Sequence, residues 1–191
     1  NVEQMTITSG SQNIVTNDAT VGAGRTLTVD ASTLTANMLW NGQAEADGHF
    51  VIKSGSGRDT ITGSALADTI EAGAANDTVS ARAGDDLISG GAGNDTLSGG
   101  AGSDTIHGGA DNDFLYGMDD NDTLHGGDGN DGVSGGDGDD LLSGGSGNDT
   151  LISSSGNDIA RGGAGNDWIW GQKGDDHLSG GIGNDTVSGG D

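Results

Sequence analysis

Aspartate recurs at every ninth residue over two thirds of this chain. The series runs Asp59, Asp68, Asp77, Asp86, Asp95, Asp104, Asp113, Asp122, Asp131, Asp140, Asp149, Asp158, Asp167, Asp176 and Asp185, fifteen positions without a gap. Around Asp95 the unit reads Gly90–Gly91–Ala92–Gly93–Asn94–Asp95–Thr96–Leu97–Ser98, or GGxGxDxUx with U apolar. Spacing this regular is a tandem repeat and not an acidic tail. Evenly spaced carboxylates without partner bases have one chemistry open to them, the binding of cations. Thirty acidic residues face six basic ones, a net charge of −24. That excess repels phosphate backbones and anionic membranes, so nucleic acid is not an expected partner.

The elements that must position these carboxylates follow from the rest of the unit. Two residues after each aspartate, from Ile61 through Leu97 to Val187, all fifteen positions are apolar. Glycine in the first half of the unit favours a turn, and an apolar residue flanked by Thr or Ser in the second favours a strand. Each unit therefore predicts a turn plus a three-residue strand with its middle side chain inward. Two units make one coil of a flattened helix, 18 residues per turn. Aspartates 18 apart then face each other across one strand spacing, about 4.8 Å. Like charges so placed repel unless a cation lies between them.

A hard ion with oxygen ligands suits this inventory. Carboxylates from two turns and glycine carbonyls can supply six or more oxygens at about 2.3–2.6 Å, which is calcium coordination, whereas magnesium demands a stricter octahedron and holds its water. Composition argues the same way. With 40 glycines, 3% aromatic residues and no cysteine, neither a large apolar core nor disulfides can stabilise the chain.

From Ser54 onward, 138 of the 191 residues resemble the RTX family, the hemolysin-type, glycine- and aspartate-rich calcium-binding nonapeptide repeats of bacterial secreted proteins. The resemblance implies an all-β fold, a parallel β-roll or β-solenoid. Calcium would be held between successive turns by the motif aspartates and by carbonyls of the motif glycines. It also implies type I secretion in an unfolded state, folding on meeting extracellular calcium, and a secreted or cell-surface location. Carried over residue by residue, the edge with Asp59, Asp77, Asp95, Asp113, Asp131, Asp149, Asp167 and Asp185 has seven gaps. The edge with Asp68, Asp86, Asp104, Asp122, Asp140, Asp158 and Asp176 has six, giving up to about thirteen ions, whose +26 would nearly balance −24.

The complete GGxGxD loop occurs seven times. Its glycines are Gly90, Gly91 and Gly93 before Asp95; Gly99, Gly100 and Gly102 before Asp104; Gly126, Gly127 and Gly129 before Asp131; and Gly135, Gly136 and Gly138 before Asp140. Downstream they are Gly144, Gly145 and Gly147 before Asp149; Gly162, Gly163 and Gly165 before Asp167; and Gly180, Gly181 and Gly183 before Asp185. Gly108 opens the loop to Asp113. Complete loops adjoin on one edge only, so the gaps Asp131/Asp149, Asp149/Asp167 and Asp167/Asp185 are the expected best sites. Leu66 and Ala75 replace the third glycine, where a side chain resists positive φ; Asp111 and Asp120 tolerate it better. Arg82, Met118, Ser154 and Gln172 replace the second, which is benign if that position is exposed. The early gaps Asp59/Asp77 and Asp68/Asp86 are expected to be weak or differently liganded.

Residues 1–53 lack the register. Thr-rich alternation at Met5–Thr6–Ile7–Thr8, Thr26–Leu27–Thr28–Val29 and Phe50–Val51–Ile52–Lys53 predicts short strands, separated by turn signals at Ser9–Gly10, Gly22–Ala23–Gly24, Asn41–Gly42 and Asp47–Gly48. Met38, Leu39, Trp40 and Phe50 form the densest apolar cluster. An N-terminal β-rich cap over 1–53, or a preceding β segment, and a roll over 54–191 are the expected division. Gly189–Gly190–Asp191 begins a sixteenth repeat, which predicts that a larger parent chain continues. No basic and apolar leader or membrane-length apolar run is visible, so any export signal is expected elsewhere.

Other motifs fail on context. No glutamate follows Glu71 to complete an EF-hand; Gly127–Asp128–Gly129–Asn130–Asp131–Gly132 and Gly132–Val133–Ser134–Gly135–Gly136 mimic nucleotide and hydrolase motifs from inside the repeat. No HExxH, catalytic cysteine or triad is present, so a non-enzymatic module is expected: part of an adhesin, surface-layer protein, toxin or exoenzyme. The alternative function is docking to a polysaccharide or a protein through outward aromatics, Phe114 with Tyr116 and Trp168 with Trp170, on one sheet. His107 and His125 occupy the same repeat position one turn apart and should stack.

Overall fold

One apolar side chain per nine residues, alternating with small polar ones, suits strands that bury a single face. The computed structural model describes residues 2–7, 12–15 and 21–190; the expected turn at Ser9–Gly10 lies outside them. Among the described residues the chain alternates between two ten-stranded parallel sheets. The first runs from Val2–Thr6 through Thr26–Asp30, His49–Lys53 and Thr69–Ala74 to His177–Ile182; the second runs from Gln12–Val15 through Met38–Asn41, Thr60–Thr62 and Thr78–Ala83 to Thr186–Gly190. Leu97 lies beside Val79 and Leu115, and Ile106 beside Ile88 and Leu124. The fold is an all-β parallel solenoid with 18 residues per turn.

The strands are longer than the sequence predicts. From Thr69 to Ile182 each spans six residues, as in Thr96–Ala101, and only Gly93–Asp95 or its counterpart remains as the turn. Two side-chain positions per strand therefore face inward: Leu97 and then Gly99. The second must be small, because a Cβ on Gly99 would overlap Asp104. The first two motif glycines are thus strand residues, and period-nine reasoning placed them wrongly in the turn.

The described residues before Ser54 continue both sheets with wider spacing, Val2 pairing with Thr26, Thr26 with His49 and Gln12 with Met38. The core changes character along the axis. At the N-terminal end it holds Leu34, Met38, Trp40, Phe50 and Ile52, with Trp40 edge-on to Phe50 at 5.2 Å. Leu39 of that cluster points outward and is exposed. Farther along the core is a single file of aliphatics drawn alternately from the two sheets, Ile88, Leu97, Ile106, Leu115 and Leu124. Val187, on the last described turn, is exposed.

Candidate metal-binding columns

From the loop before Asp77 onward, each loop of the repeat reverses the chain through positive φ. Gly91 and Gly93 have φ of 112° and 118°, and the same pair recurs at Gly100 and Gly102, Gly127 and Gly129, Gly136 and Gly138. Glycine meets this demand without strain. Where it is replaced, the backbone does not yield: Arg82, Met118, Ser154 and Gln172 adopt φ of 90°, 93°, 84° and 75° at the second position, and Ala75, Asp111 and Asp120 adopt 75°, 76° and 76° at the third. Exposure alone therefore does not make the second position benign; each replacement carries local strain. Leu66 does not adopt positive φ, and its loop is built differently.

The loops stack the aspartates into two columns, one on each edge. Along these columns the side chains from Asp59 to Asp167 are buried, 3% exposed or less. Their two oxygens do different things. One oxygen, Oδ1, accepts a hydrogen bond from the backbone N–H of the aspartate one turn earlier: Asp77 N–H donates to Asp95 at 2.8 Å, Asp95 to Asp113 at 2.8 Å and Asp131 to Asp149 at 2.9 Å. The other edge repeats this, Asp86 donating to Asp104 and Asp140 to Asp158, both at 2.8 Å. The second oxygen, Oδ2, is buried without a partner in every column aspartate from Asp77 to Asp176. An unpaired buried carboxylate oxygen is costly and calls for a donor or a cation.

What surrounds Oδ2 is backbone. At Gly90 the space a Cβ would fill overlaps Asp95 Oδ2 and lies 2.7 Å from the Gly108 carbonyl oxygen; Gly108, Gly126 and Gly144 repeat this with Asp113, Asp131 and Asp149. Among the described residues no three His, Asp or Glu side chains converge. The donor set is therefore one carboxylate oxygen per loop with glycine carbonyls, all hard oxygens, and this set fits calcium better than a nitrogen- or sulfur-seeking metal.

Burial sets the electrostatics. It pushes the Asp86 carboxyl up to about 8, Asp77, Asp113, Asp122 and Asp140 to about 7, and Asp95, Asp104 and Asp149 to about 6. Nearby carboxylates add to the rise, and the N–H donated from the previous turn opposes it. A column of carboxylates resists full ionisation unless positive charge enters it.

The two earliest loops are liganded by the protein itself. Ser54 Oγ donates to Asp59 Oδ2, and the Ser64 N–H donates to Asp68 Oδ2 at 2.7 Å while its Oγ donates to Oδ1 at 3.0 Å. Alanine replaces the first glycine before Asp77 and Asp86, at Ala72 and Ala81.

A second ladder escaped sequence reasoning. From Asp77 onward, the residue before each aspartate on one edge is Asn76, Asn94, Asn112, Asn130, Asn148, Asn166 or Asn184. Asn94 N–H donates to Asn76 Oδ1 at 3.2 Å, Asn112 to Asn94 at 2.8 Å and Asn130 to Asn112 at 2.6 Å. It runs opposite to the aspartate ladder and locks the loops in register from the other side. The recurrence of Asn at period 18 was the available signal.

The outward residues lie as spacing predicts. His107 and His125 stack at 5.1 Å with rings 8° from parallel. Phe114, Tyr116, Trp168 and Trp170 share the outer face of the second sheet, with Trp168 edge-on to Trp170 at 5.6 Å. Phe114 and Trp168 are each 55% exposed. Phe114 lies over Gly132, the cross-strand neighbour without a side chain. Among the described residues no helix is long and apolar enough to cross a membrane.

The model of the RTX calcium-binding nonapeptide repeat matches residues 51–74, 62–97, 98–133, 116–151, 125–160 and 152–187. No curated protein matches the chain.

Proposed function

The chain belongs to the RTX calcium-binding nonapeptide-repeat family, and from that we propose that it is a structural module whose folding is driven by calcium, within a bacterial protein secreted by the type I route or held at the cell surface. One observation carries this: the unbroken series of buried, unpartnered Oδ2 atoms from Asp77 to Asp176. Without a counter-ion these carboxylates oppose the folded state. Calcium supplies divalent charge and accepts several oxygen ligands.

The chain's own residues do the rest. The Oδ1 ladder and the asparagine ladder fix the carboxylates in place, the glycines leave room and carbonyls around Oδ2, and the aliphatic file holds the two sheets together. Nine loops join an unpartnered Oδ2 to a glycine cradle, those ending at Asp95, Asp104, Asp113, Asp122, Asp131, Asp140, Asp149, Asp167 and Asp176. They are the ligand sets we assign, fewer than the thirteen gaps. The test is a titration of the metal-stripped chain with each ion: calcium should order it, and magnesium at equal concentration should not. Equal effects of the two ions would sink the assignment.

A second reading adds docking to the same roll. The exposed Phe114, Tyr116, Trp168 and Trp170 on one sheet, with an apolar cleft of about 130 Å³ between Phe114 and Ile152, favour a sugar or protein partner. Binding of polysaccharide or partner should be lost in Trp168→Ala/Trp170→Ala with the calcium response intact; unchanged binding would remove the docking role.

A further inference from the structure

The Oδ2 series has a beginning, and what precedes it is built to close without an ion. Asp59 and Asp68 have both oxygens satisfied by the protein. The N–H groups of Met38 and Phe50 donate to their Oδ1 atoms at 2.6 and 2.7 Å, and Ser54 and Ser64 donate to their Oδ2 atoms. Ser54 stands at the first-glycine position, so its hydroxyl meets the carboxylate oxygen that the later glycine loops leave without a partner.

Fixed positive charge is built into the same region. Arg82 Nη1 donates to the carbonyls of Gln43 at 3.1 Å and Ser64 at 3.2 Å, the corresponding loops of the two preceding turns. The strained positive φ of Arg82 therefore aims a guanidinium along the second edge, where it ties three turns together. Lys53 bridges to Glu71 on the neighbouring strand at 2.7 Å. Here too lie the largest buried side chains, Trp40, Phe50, Leu34 and Met38. Such a core stabilises by burial what the later turns, with two aliphatics each, cannot.

Between these regimes Asp77 and Asp86 form a border, their Oδ2 atoms unpartnered but alanine, not glycine, at their cradles. We propose that the turns from Val21 to about Glu71 form a metal-independent seat, braced by Arg82, on which the calcium-dependent turns from Asp95 onward assemble in order. The proposal rests on the calcium reading above and divides the chain into a part that needs the ion and a part that does not.

Hydrogen exchange of the full chain, followed by mass spectrometry at neutral pH in excess chelator and in calcium, tests it. Peptides within 26–62 should keep their protection in chelator, while peptides within 96–173 should lose it by at least about a hundredfold. Loss of protection in both regions together, regained together with calcium, would overturn the seat and leave the calcium reading standing. Protection of both regions in chelator would overturn both. Arg82→Met tests the brace: exchange in 38–64 should quicken in chelator while 96–173 in calcium stays as in the parent. An unchanged rate in 38–64 would show that the guanidinium ties nothing.

Discussion

In the nine glycine-cradled loops the column aspartate divides its work between two oxygens. Oδ1 serves the backbone, as in Asp95 N–H to Asp113, and Oδ2 faces glycine carbonyls with no partner. Spacing alone revealed that carboxylates stack, because a side chain at a fixed place in a repeat must recur at a fixed place in space. It did not reveal the division, which depends on side-chain torsions that no spacing encodes. The cradle can be probed at Gly135, where a Cβ would overlap Asp140 Oδ2 and lie 2.8 Å from the Ser153 carbonyl oxygen. Gly135 does not need positive φ, so Gly135→Ala probes the cradle apart from the turn. We expect the calcium midpoint to rise roughly tenfold, about 1.4 kcal/mol. Gly189→Ala, with nothing within 4 Å of the added carbon, should leave it unchanged, and equal midpoints for the two variants would refute the cradle.

At the scale of strands and columns, the apolar period correctly indicated which face turns inward, since the residue two after each aspartate is buried from Ile61 to Ile169. Strand length was less legible. A glycine pair reads as a turn by propensity, yet Gly99 and Gly100 lie inside Thr96–Ala101 because the inward position beside Asp104 excludes any side chain. The columns also set a pH dependence. The carboxyls of Asp77, Asp86, Asp95, Asp104, Asp113, Asp122, Asp140 and Asp149 are raised to between about 6 and about 8 in the folded, metal-free chain, against roughly 3.9 when unfolded. Between those limits the folded column holds protons that the unfolded chain releases, so metal-free stability is greatest toward pH 4 and is lost as pH rises through 6 to 8. In chelator, far-UV circular dichroism should show more β structure at pH 5 than at pH 8; the same content at both would contradict the burial of unneutralised carboxylates.

At the scale of the whole molecule, one register joins the two sheets from Thr69 to Thr186, and that part was legible because every turn has the same length. Before Ser54 the strands at Thr26–Asp30 and His49–Lys53 were legible from alternation, but their place in the same two sheets was not, since the spacing between paired strands varies there and leaves no period to count. The outcome is a solenoid of two unlike ends, one held by a large core, serines and fixed cations, the other by columns of carboxylates that need positive charge. The most direct measurement is a calcium titration of the chelator-stripped full chain at neutral pH, followed by far-UV circular dichroism with calorimetric stoichiometry. The metal-free spectrum should be mainly disordered with a minor β component, converting cooperatively to full β structure as several ions bind per chain. A spectrum already fully β-rich in excess chelator, unchanged by calcium, would contradict it.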